Sequence, residues 1–503
     1  MNSTRNTPHA LPLQTVLSLA AALAFVAAML PTSALADPAA KRPNILIIYV
    51  DDLALGDVGA FGCPDPGTEN IDRLADQGTR LTNAYTNNAP CSPSRTALMM
   101  GMYTQRFGKY GLSRGVPIPR DKPTLAETLR DAGYHTGFIG FEKWDIGQWD
   151  QGALDRGFME AAKQTPRKKG ANGKGQSSWY VGVDGSYLTE TEGDYAVDFI
   201  SRHGKTTQPF LLYYVPLAVH TPLHEVPKKY LDKLYPGHQG KRPPRHYLRA
   251  TLHALDIQIG RMLDTLKEMG IDDKTLVIFS SDNGGDPAAG HRPLPYRGGK
   301  RGVMRANLQW EGNFRMPTIV SYPGTLPAGK SYPGMSSTID FYATAAALAK
   351  TPLPKHCEGK NLMPLILGEK QANPDDILFW NTHGSEVTRW KQWRIVKFRD
   401  QPDWRLYDIE TDPGETTDLA KKHPTTVKTM AKRYHAWLSE MAKPAKPVRP
   451  PEEIFPHTAR GNHARRPFGR GWITVEEWHK IKDDPTQWAE SHARERMLEK
   501  LDQ

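Results

Sequence analysis

The feature that most restricts the fold is a set of short apolar runs, each ending in chemistry. Ile45-Leu46-Ile47-Ile48-Tyr49-Val50 shows no polar alternation and stops on Asp51-Asp52. Such a run reads as a parallel strand buried on both faces. Pro209 to Val215 is a second run, leading into Pro216 to His220 and Thr221-Pro222. Thr275 to Phe279 is a third, ending in Ser280-Ser281-Asp282-Asn283-Gly284-Gly285. Thr136 to Gly140 and Thr318 to Tyr322 read as further strands. Helical patterns separate them. They lie at Asn70 to Gly78, Thr124 to Gly133 (opened by the capping box Thr124…Glu127), Asp194 to Ser201, Tyr247 to Gly270 and Ile339 to Leu348. The longest carries Leu248, Leu252, Leu255, Ile259, Leu263 and Leu266 as one apolar stripe. The alternation predicts an α/β domain with a doubly wound, mostly parallel sheet.

Open sheets of this kind bind ligands beyond the carboxyl ends of their strands. Asp51, Asp52, Asp282 and Asn283 all fall there, and together they would make an all-oxygen cage for a hard ion such as Ca²⁺ or Mg²⁺. Taken alone, Asp51-Asp52 reads rather as a solvated turn, with Asp52 capping the next segment. His220 reads as a general acid or as a structural histidine held between prolines. In Ala89 to Gly101, Ser92 is a good N-cap, Pro93 suits the first helical position and Gly101 is a stop. That places Cys91 just outside a helix N-terminus, where free N–H groups favour an anion, with Arg95 one turn on. Either this is a capped surface helix with a buried cysteine, or a sulfur group sits where negative charge is stabilised.

The 503 residues allow one large domain and a smaller one. Residues 1–36 read as a signal peptide, with Arg5, the apolar run Val16 to Leu30 and the small-x-small site Ala34-Leu35-Ala36. The mature chain then begins at Asp37, is exported to periplasm or medium, and needs no membrane span. A catalytic α/β domain is expected over 37–375. A C-terminal subdomain over 376–442 has hairpin-spaced strands at Ile377 to Trp380, Glu386 to Phe398 and Trp404 to Glu410, then a helix from Thr425 to Met441. Residues 443–503 read as a Pro-rich linker and a helical extension from Trp472. Lys163 to Ser178 reads as a flexible surface loop. The net charge of +10 suits sulfated or phosphorylated polymers, or simple solubility; no nucleic-acid partner is expected. Cys63, Cys91 and Cys357 are too few for a disulfide scaffold; Cys63 and Cys357 either pair or stand as separate thiols.

In combination these motifs resemble the formylglycine-dependent sulfatases of the alkaline phosphatase superfamily. Cys91-Ser92-Pro93-Ser94-Arg95 is similar to their Cys-x-Pro-Ser-Arg signature, and Gly101 with Tyr103-Thr104 to the Gly-x-Tyr-Thr that follows. Pro43-Asn44-Ile45 through Asp51-Asp52, Asp57 and Gly59 resembles the first strand and metal site. Lys143-Trp144, His220-Thr221-Pro222, Ser281-Asp282-Asn283-Gly284, Arg297-Gly298-Gly299-Lys300, Glu311-Gly312 and Leu406-Tyr407-Asp408 continue the match. The resemblance implies that a maturation enzyme oxidises Cys91 to formylglycine (3-oxoalanine). One hydroxyl of the hydrated aldehyde would attack the sulfur of a sulfate ester; the other would expel sulfate. It implies Ca²⁺ on Asp51, Asp52, Asp282, Asn283 and modified Cys91, with Arg95 steadying the hydrate. Lys143, His220 and Lys300 would hold the sulfate, and His220 or Lys300 would protonate the leaving alcohol.

Two departures stand out. Relatives commonly read Gly-Lys-Trp-His-Leu-Gly where this chain has Glu142-Lys143-Trp144-Asp145-Ile146-Gly147. Asp145 therefore stands where a histidine would assist sulfate release, either as the base or as a structural residue. The segment from Lys300 to Glu311, with Arg301, Arg305, Asn307 and Trp310, is longer than usual and either shapes a sugar subsite or is a surface loop. The expected substrate is a sulfated carbohydrate. Arylsulfatase and phosphonate or phosphodiester hydrolase activities remain alternatives, as does a non-catalytic sulfated-glycan binder.

Overall fold

The computed structural model describes residues 42–111, 116, 118–140, 152–162, 167–169, 177–182, 184–300, 309–382, 384–399, 401–445 and 472–476. Residues 43–503 group as one compact unit, to which everything below refers. The continuous apolar run is strand β1 (Asn44–Val50), and six of its seven residues are fully buried. It lies in the middle of a nine-stranded sheet. The other members are β2 (Thr79–Tyr85), β3 (His135–Gly140), β4 (Glu160–Ala162), β7 (Phe210–Val215), β8 (Thr275–Ser281), β9 (Thr318–Ser321), β10 (Lys330–Ser337) and β15 (Trp472–Thr474). The order across the sheet is β10-β2-β9-β8-β1-β7-β3-β4-β15. β1 pairs in parallel with β7 and β8, β3 with β4 and β7, and β10 with β2. β9 runs antiparallel to β2 and β8, and β15 antiparallel to β4.

Alternation along β1 assigns the two layers, because successive side chains point to opposite faces. Leu46, Ile48 and Val50 pack with α1 (Glu69–Asp76), α4 (Leu188–His203), α5 (Lys228–Leu234) and α6 (Pro244–Glu268). Ile45, Ile47 and Tyr49 pack with α2 (Cys91–Met100), α3 (Leu125–Asp131), α7 (Asp340–Leu348) and α8 (Met363–Ile366). The capping box at α3 forms as expected: Thr124 Oγ1 accepts from the Glu127 N–H, and Glu127 accepts from the Thr124 N–H.

A separate antiparallel sheet joins β11 (Ile377–Thr382), β12 (Ser385–Trp390), β13 (Trp393–Lys397) and β14 (Trp404–Asp408), with α9 (Pro424–Ser439) against it. The run expected as one strand over Glu386 to Phe398 is a hairpin, turning at Lys391, whose φ is +53°. β2 and β10 escaped the sequence pattern. Each mixes polar and apolar residues because each lies near one end of the sheet, where one face is half wet.

Two further expectations change, and one open alternative is decided. Trp472–Thr474 is a strand rather than the start of a helix; it pairs with β4 in the register Thr474↔Glu160. Part of the loop expected at Lys163 to Ser178 is a two-stranded ribbon of β5 (Arg167–Lys169) and β6 (Ser177–Gly182). Cys63 and Cys357 form no disulfide: Cys63 lies beside Arg245 and Arg249, Cys357 against Gly101 and Tyr342.

An ion cluster locks the small sheet to the large one. Buried Glu311 takes the Tyr85 hydroxyl (2.6 Å) and faces Arg315, Arg389 and Arg394. Arg394 also pairs with Glu415, whose other oxygen accepts the Glu311 N–H. Burial pushes the Glu415 carboxyl up to about 7, against the attraction of Arg394 and with added repulsion from Glu311. A carboxyl raised on folding holds a proton that the unfolded chain releases near its ordinary 4.5. Stability from this group is therefore full below that value and is lost as pH rises toward 7. Glu415→Gln should flatten this fall, by up to about 3 kcal/mol, in urea melts compared between pH 5 and pH 8.

Candidate active site

The strand ends converge as the buried runs require. Asp51 and Asp52 follow β1; Asp282 and Asn283 follow β8, its parallel neighbour in the register Val50↔Ser281. All four are buried. Asp52 adopts a left-handed backbone (φ +67°), which turns its N–H onto Asp282 Oδ1 at 3.1 Å. Ser281 Oγ accepts the Leu53 N–H at 2.9 Å and so ties the two strand ends together. Gly284 is needed because a Cβ there would collide with the Gly312 carbonyl.

α2 supplies the opposite wall. Its first residue is Cys91 and its N-cap is Pro90, so the helix starts about two residues earlier than the Ser92 cap implied. Cys91 therefore lies inside the first turn, not outside it. Gly101 ends the helix with φ +62°, as expected. Ser94 fixes the helix to the sheet through Tyr49 (2.7 Å) and Thr86 (2.6 Å). The second sheet braces the approach to Cys91: Trp380 Nε1 donates to the Thr86 carbonyl, and Thr382 Oγ1 to that of Ala89.

Arg95, fully buried, bridges the two walls through Asp51 (2.9 Å) and Asp282 (2.8 Å). Lys300 Nζ lies 2.5 Å from Asp52 Oδ1, 3.9 Å from Asp51 Oδ1 and 3.8 Å from Cys91 Sγ. Burial works against its ammonium, yet Asp52, Cys91, Asp51 and Asp282 together hold its pKa well above the usual lysine value. His220 Nδ1 meets the Thr221 carbonyl at 2.5 Å, and its Nε2 lies 3.7 Å from Asp52 Oδ2. Of the expected site residues, Asp51, Asp52, Cys91, Arg95, His220, Asp282, Asn283 and Lys300 are thus brought together. Lys143 and Asp145 lie outside the described residues.

These residues fit a hard cation. Ligand atoms of Asp51, Cys91 and Asp282 all fall within 4.8 Å of one another, as do those of Asp51, Asp52 and His220. Burial and the repulsion of Asp51 push the Asp282 carboxyl up, although Arg95 opposes them. Asn283 Nδ2 donates to Asp52 Oδ1 (2.8 Å), while its buried Oδ1 meets no donor. Three carboxylates with only part of their charge met, beside an unsatisfied amide oxygen, form a donor set for a divalent ion.

Sequence reasoning missed two neighbours. Trp179, on β6, stacks on His220 with centroids 5.5 Å apart and planes at 15°; it lies just beyond the segment expected as a loop, where no pattern marked a strand. Lys109, 2 % exposed, donates to Thr96 Oγ1 of α2 at 2.8 Å; a lysine in Gly108-Lys109-Tyr110 gave no signal of burial. Trp310 is not available to stack on a sugar. It is buried, with Arg297 over one face (4.0 Å) and Phe398 and Tyr407 edge-on. Residues 301–308 lie outside the described part.

The arrangement defines a class and the comparisons agree with it. Residues 43–351 match the Sulfatase family model, and residues 299–443 that of the N-sulphoglucosamine sulphohydrolase C-terminal region. The chain belongs to the sulfatase family and is a sulfuric ester hydrolase with the alkaline phosphatase-like fold. Arylsulfatase A of Bos taurus is 30% identical over 391 residues, covering 69% of this chain and 72% of that one. N-acetylgalactosamine-6-O-sulfatase of Bacteroides thetaiotaomicron is 27% identical over 489 residues, covering 78% and 92%. The crystal structure of Ps i-CgsB in complex with k-i-k-neocarrahexaose superposes with a TM-score of 0.70 at 28% identity, covering 80% of this chain and 94% of that one.

Replacing Arg95 by Met should leave Asp51 and Asp282 buried without their shared cation. A broken buried pair costs about 3–5 kcal/mol. Urea melts in the presence of a chelator should show that loss at neutral pH, and added calcium should recover part of it.

Proposed function

We propose that this protein is an exported sulfatase acting on sulfated carbohydrates, with Cys91 oxidised to formylglycine and Ca²⁺ held by Asp51, Asp52, Asp282, Asn283 and the modified Cys91. The observation that carries the reading is the convergence of Cys91 Sγ with Asp51 and Asp282 inside one ligand-sized cluster, 3.8 Å from Lys300 Nζ. The aldehyde hydrate made from Cys91 would supply a nucleophile that can also release sulfate, which an unmodified serine could not do. The calcium would offset negative charge on the reacting oxygens.

The remaining work falls to the side chains. The first turn of α2 presents backbone N–H groups, which favour the anion. Arg95 keeps Asp51 and Asp282 in place, and its charge steadies the hydrate at the start of its own helix. Lys300, kept cationic by its carboxylates, holds a sulfate oxygen. His220 donates through Nδ1 to the Thr221 carbonyl, so its Nε2 is the nitrogen that exchanges protons. Stacking on Trp179 fixes the ring plane, and Nε2 then gives its proton to the departing alcohol. Lys143 is assigned to the sulfate, and Asp145 to the base step that relatives give to histidine. The carbohydrate preference is supported by the names of the relatives above and by the net charge of +10. The segment over 1–36 supports export, with a mature chain from Asp37.

Peptide mass spectrometry of protein made with a formylglycine-generating enzyme should find the aldehyde at residue 91. Cys91→Ala should lower kcat on an aryl sulfate and on sulfated oligosaccharides by at least about 10³-fold. Activity surviving that substitution overturns the mechanism, and faster cleavage of the matching aryl phosphodiester overturns the substrate class. Asp282→Ala should lose both bound calcium, measured by plasma mass spectrometry, and turnover. Calcium retained with full activity would show that the cage is wrongly assigned.

A further inference from the structure

The most unusual polar cluster outside the active site lies at the other end of the sheet. His135 opens β3, Glu160 opens β4, and His203 is the last residue of α4. His135 Nε2 is 3.0 Å from Glu160 Oε1, and His203 Nε2 is 2.6 Å from the same oxygen. The two imidazoles are stacked, with centroids 3.8 Å apart and planes at 20°. Arg202 Nη1 lies 3.0 Å from His203 Nε2 and donates to Glu160 Oε1 at 3.2 Å. Three nitrogens, one from each of His135, His203 and Arg202, thus converge on a single carboxylate oxygen.

The ring nitrogens of His135 and His203 and the Glu160 oxygen are close enough for each to present a lone pair to one shared metal ion. We propose that His135, Glu160 and His203 bind a divalent transition ion of the zinc class. Two imidazole nitrogens and one carboxylate are the donor set such ions prefer, and calcium, which takes oxygen, would compete poorly. The three ligand atoms already lie within 4.8 Å of one another. The side chains are 19 %, 7 % and 14 % exposed, so an ion can enter and water can complete its shell. The C-terminal end of α4 adds a favourable dipole for a cation. Arg202 has a second anchor in Asp198 (2.8 Å) and reaches Glu160 Oε2 at 3.2 Å. It can therefore release His203 and orient the outer carboxylate oxygen instead. Phe199 packs against both rings and dries one side of the site. The ion would tie β3, β4 and the end of α4 together beneath β15, which pairs at Thr474↔Glu160.

The test uses untagged full-length protein in excess calcium, so that the active site does not compete for metal. After dialysis against zinc chloride, wild-type protein should hold one more zinc per chain than His135→Gln or His203→Gln, by plasma mass spectrometry. Cobalt in place of zinc should give visible ligand-field bands in wild-type protein and in Arg202→Gln, which keeps all three ligands. Both histidine variants should lack those bands while retaining a cooperative thermal melt. Equal zinc in wild type and both variants overturns the proposal. So does the absence of cobalt bands from wild-type protein, a result that needs no variant to fold.

Discussion

Everything at the active end of this molecule depends on holding like charges together in a dry place. Asp51, Asp52 and Asp282 arrive from two neighbouring strands and are almost fully removed from solvent. Their repulsion would separate the strand ends if nothing opposed it. Arg95 and Lys300 oppose it from opposite sides, and each makes contact with more than one carboxylate. The same carboxylates that need Lys300 hold its ammonium charged against the cost of burial. The cluster is thus built from groups that cannot be neutralised singly without leaving a buried charge uncompensated.

The second sheet belongs to this arrangement. Its first strand grips the backbone at Thr86 and Ala89, immediately ahead of Cys91. Its hub at Glu311 reaches back to Tyr85, the last residue of β2. The helix that carries Cys91 is therefore positioned from one side by Tyr49 on β1 and from the other by a sheet formed more than 280 residues later, at Ile377–Thr382. Folding of the small sheet and the geometry around Cys91 are coupled through a handful of hydrogen bonds.

Much of this was legible in the sequence, for identifiable reasons. The central strands are buried on both faces, so their apolar runs carry no ambiguity, and their chemical residues sit at their ends by the logic of an open sheet. The helices announced themselves through caps and stripes, as at Thr124 and along Leu248 to Leu266. Where one face of a strand is half wet, as in β2 and β10, the pattern blurs into loop. The start of α2 was misjudged because Ser92 has the right chemistry for a cap while Pro90 supplies the extended geometry. Trp310 was hardest of all: an aromatic among arginines looks like a sugar platform, but burial depends on partners from Arg297 and from the second sheet. Lys109 and Trp179 were hidden for a similar reason, since no local pattern says which residue another segment will cover.

The position of Trp472–Thr474 carries one more consequence. A parallel sheet of this size ends in a row of unpaired N–H and C=O groups, which can recruit any extended segment, including that of a second molecule. Here the row along β4 is occupied by a strand from the same chain. Those three residues satisfy the outer row of β4 and leave as the border of the sheet a strand only three residues long, the short kind of edge that makes a poor template for self-association.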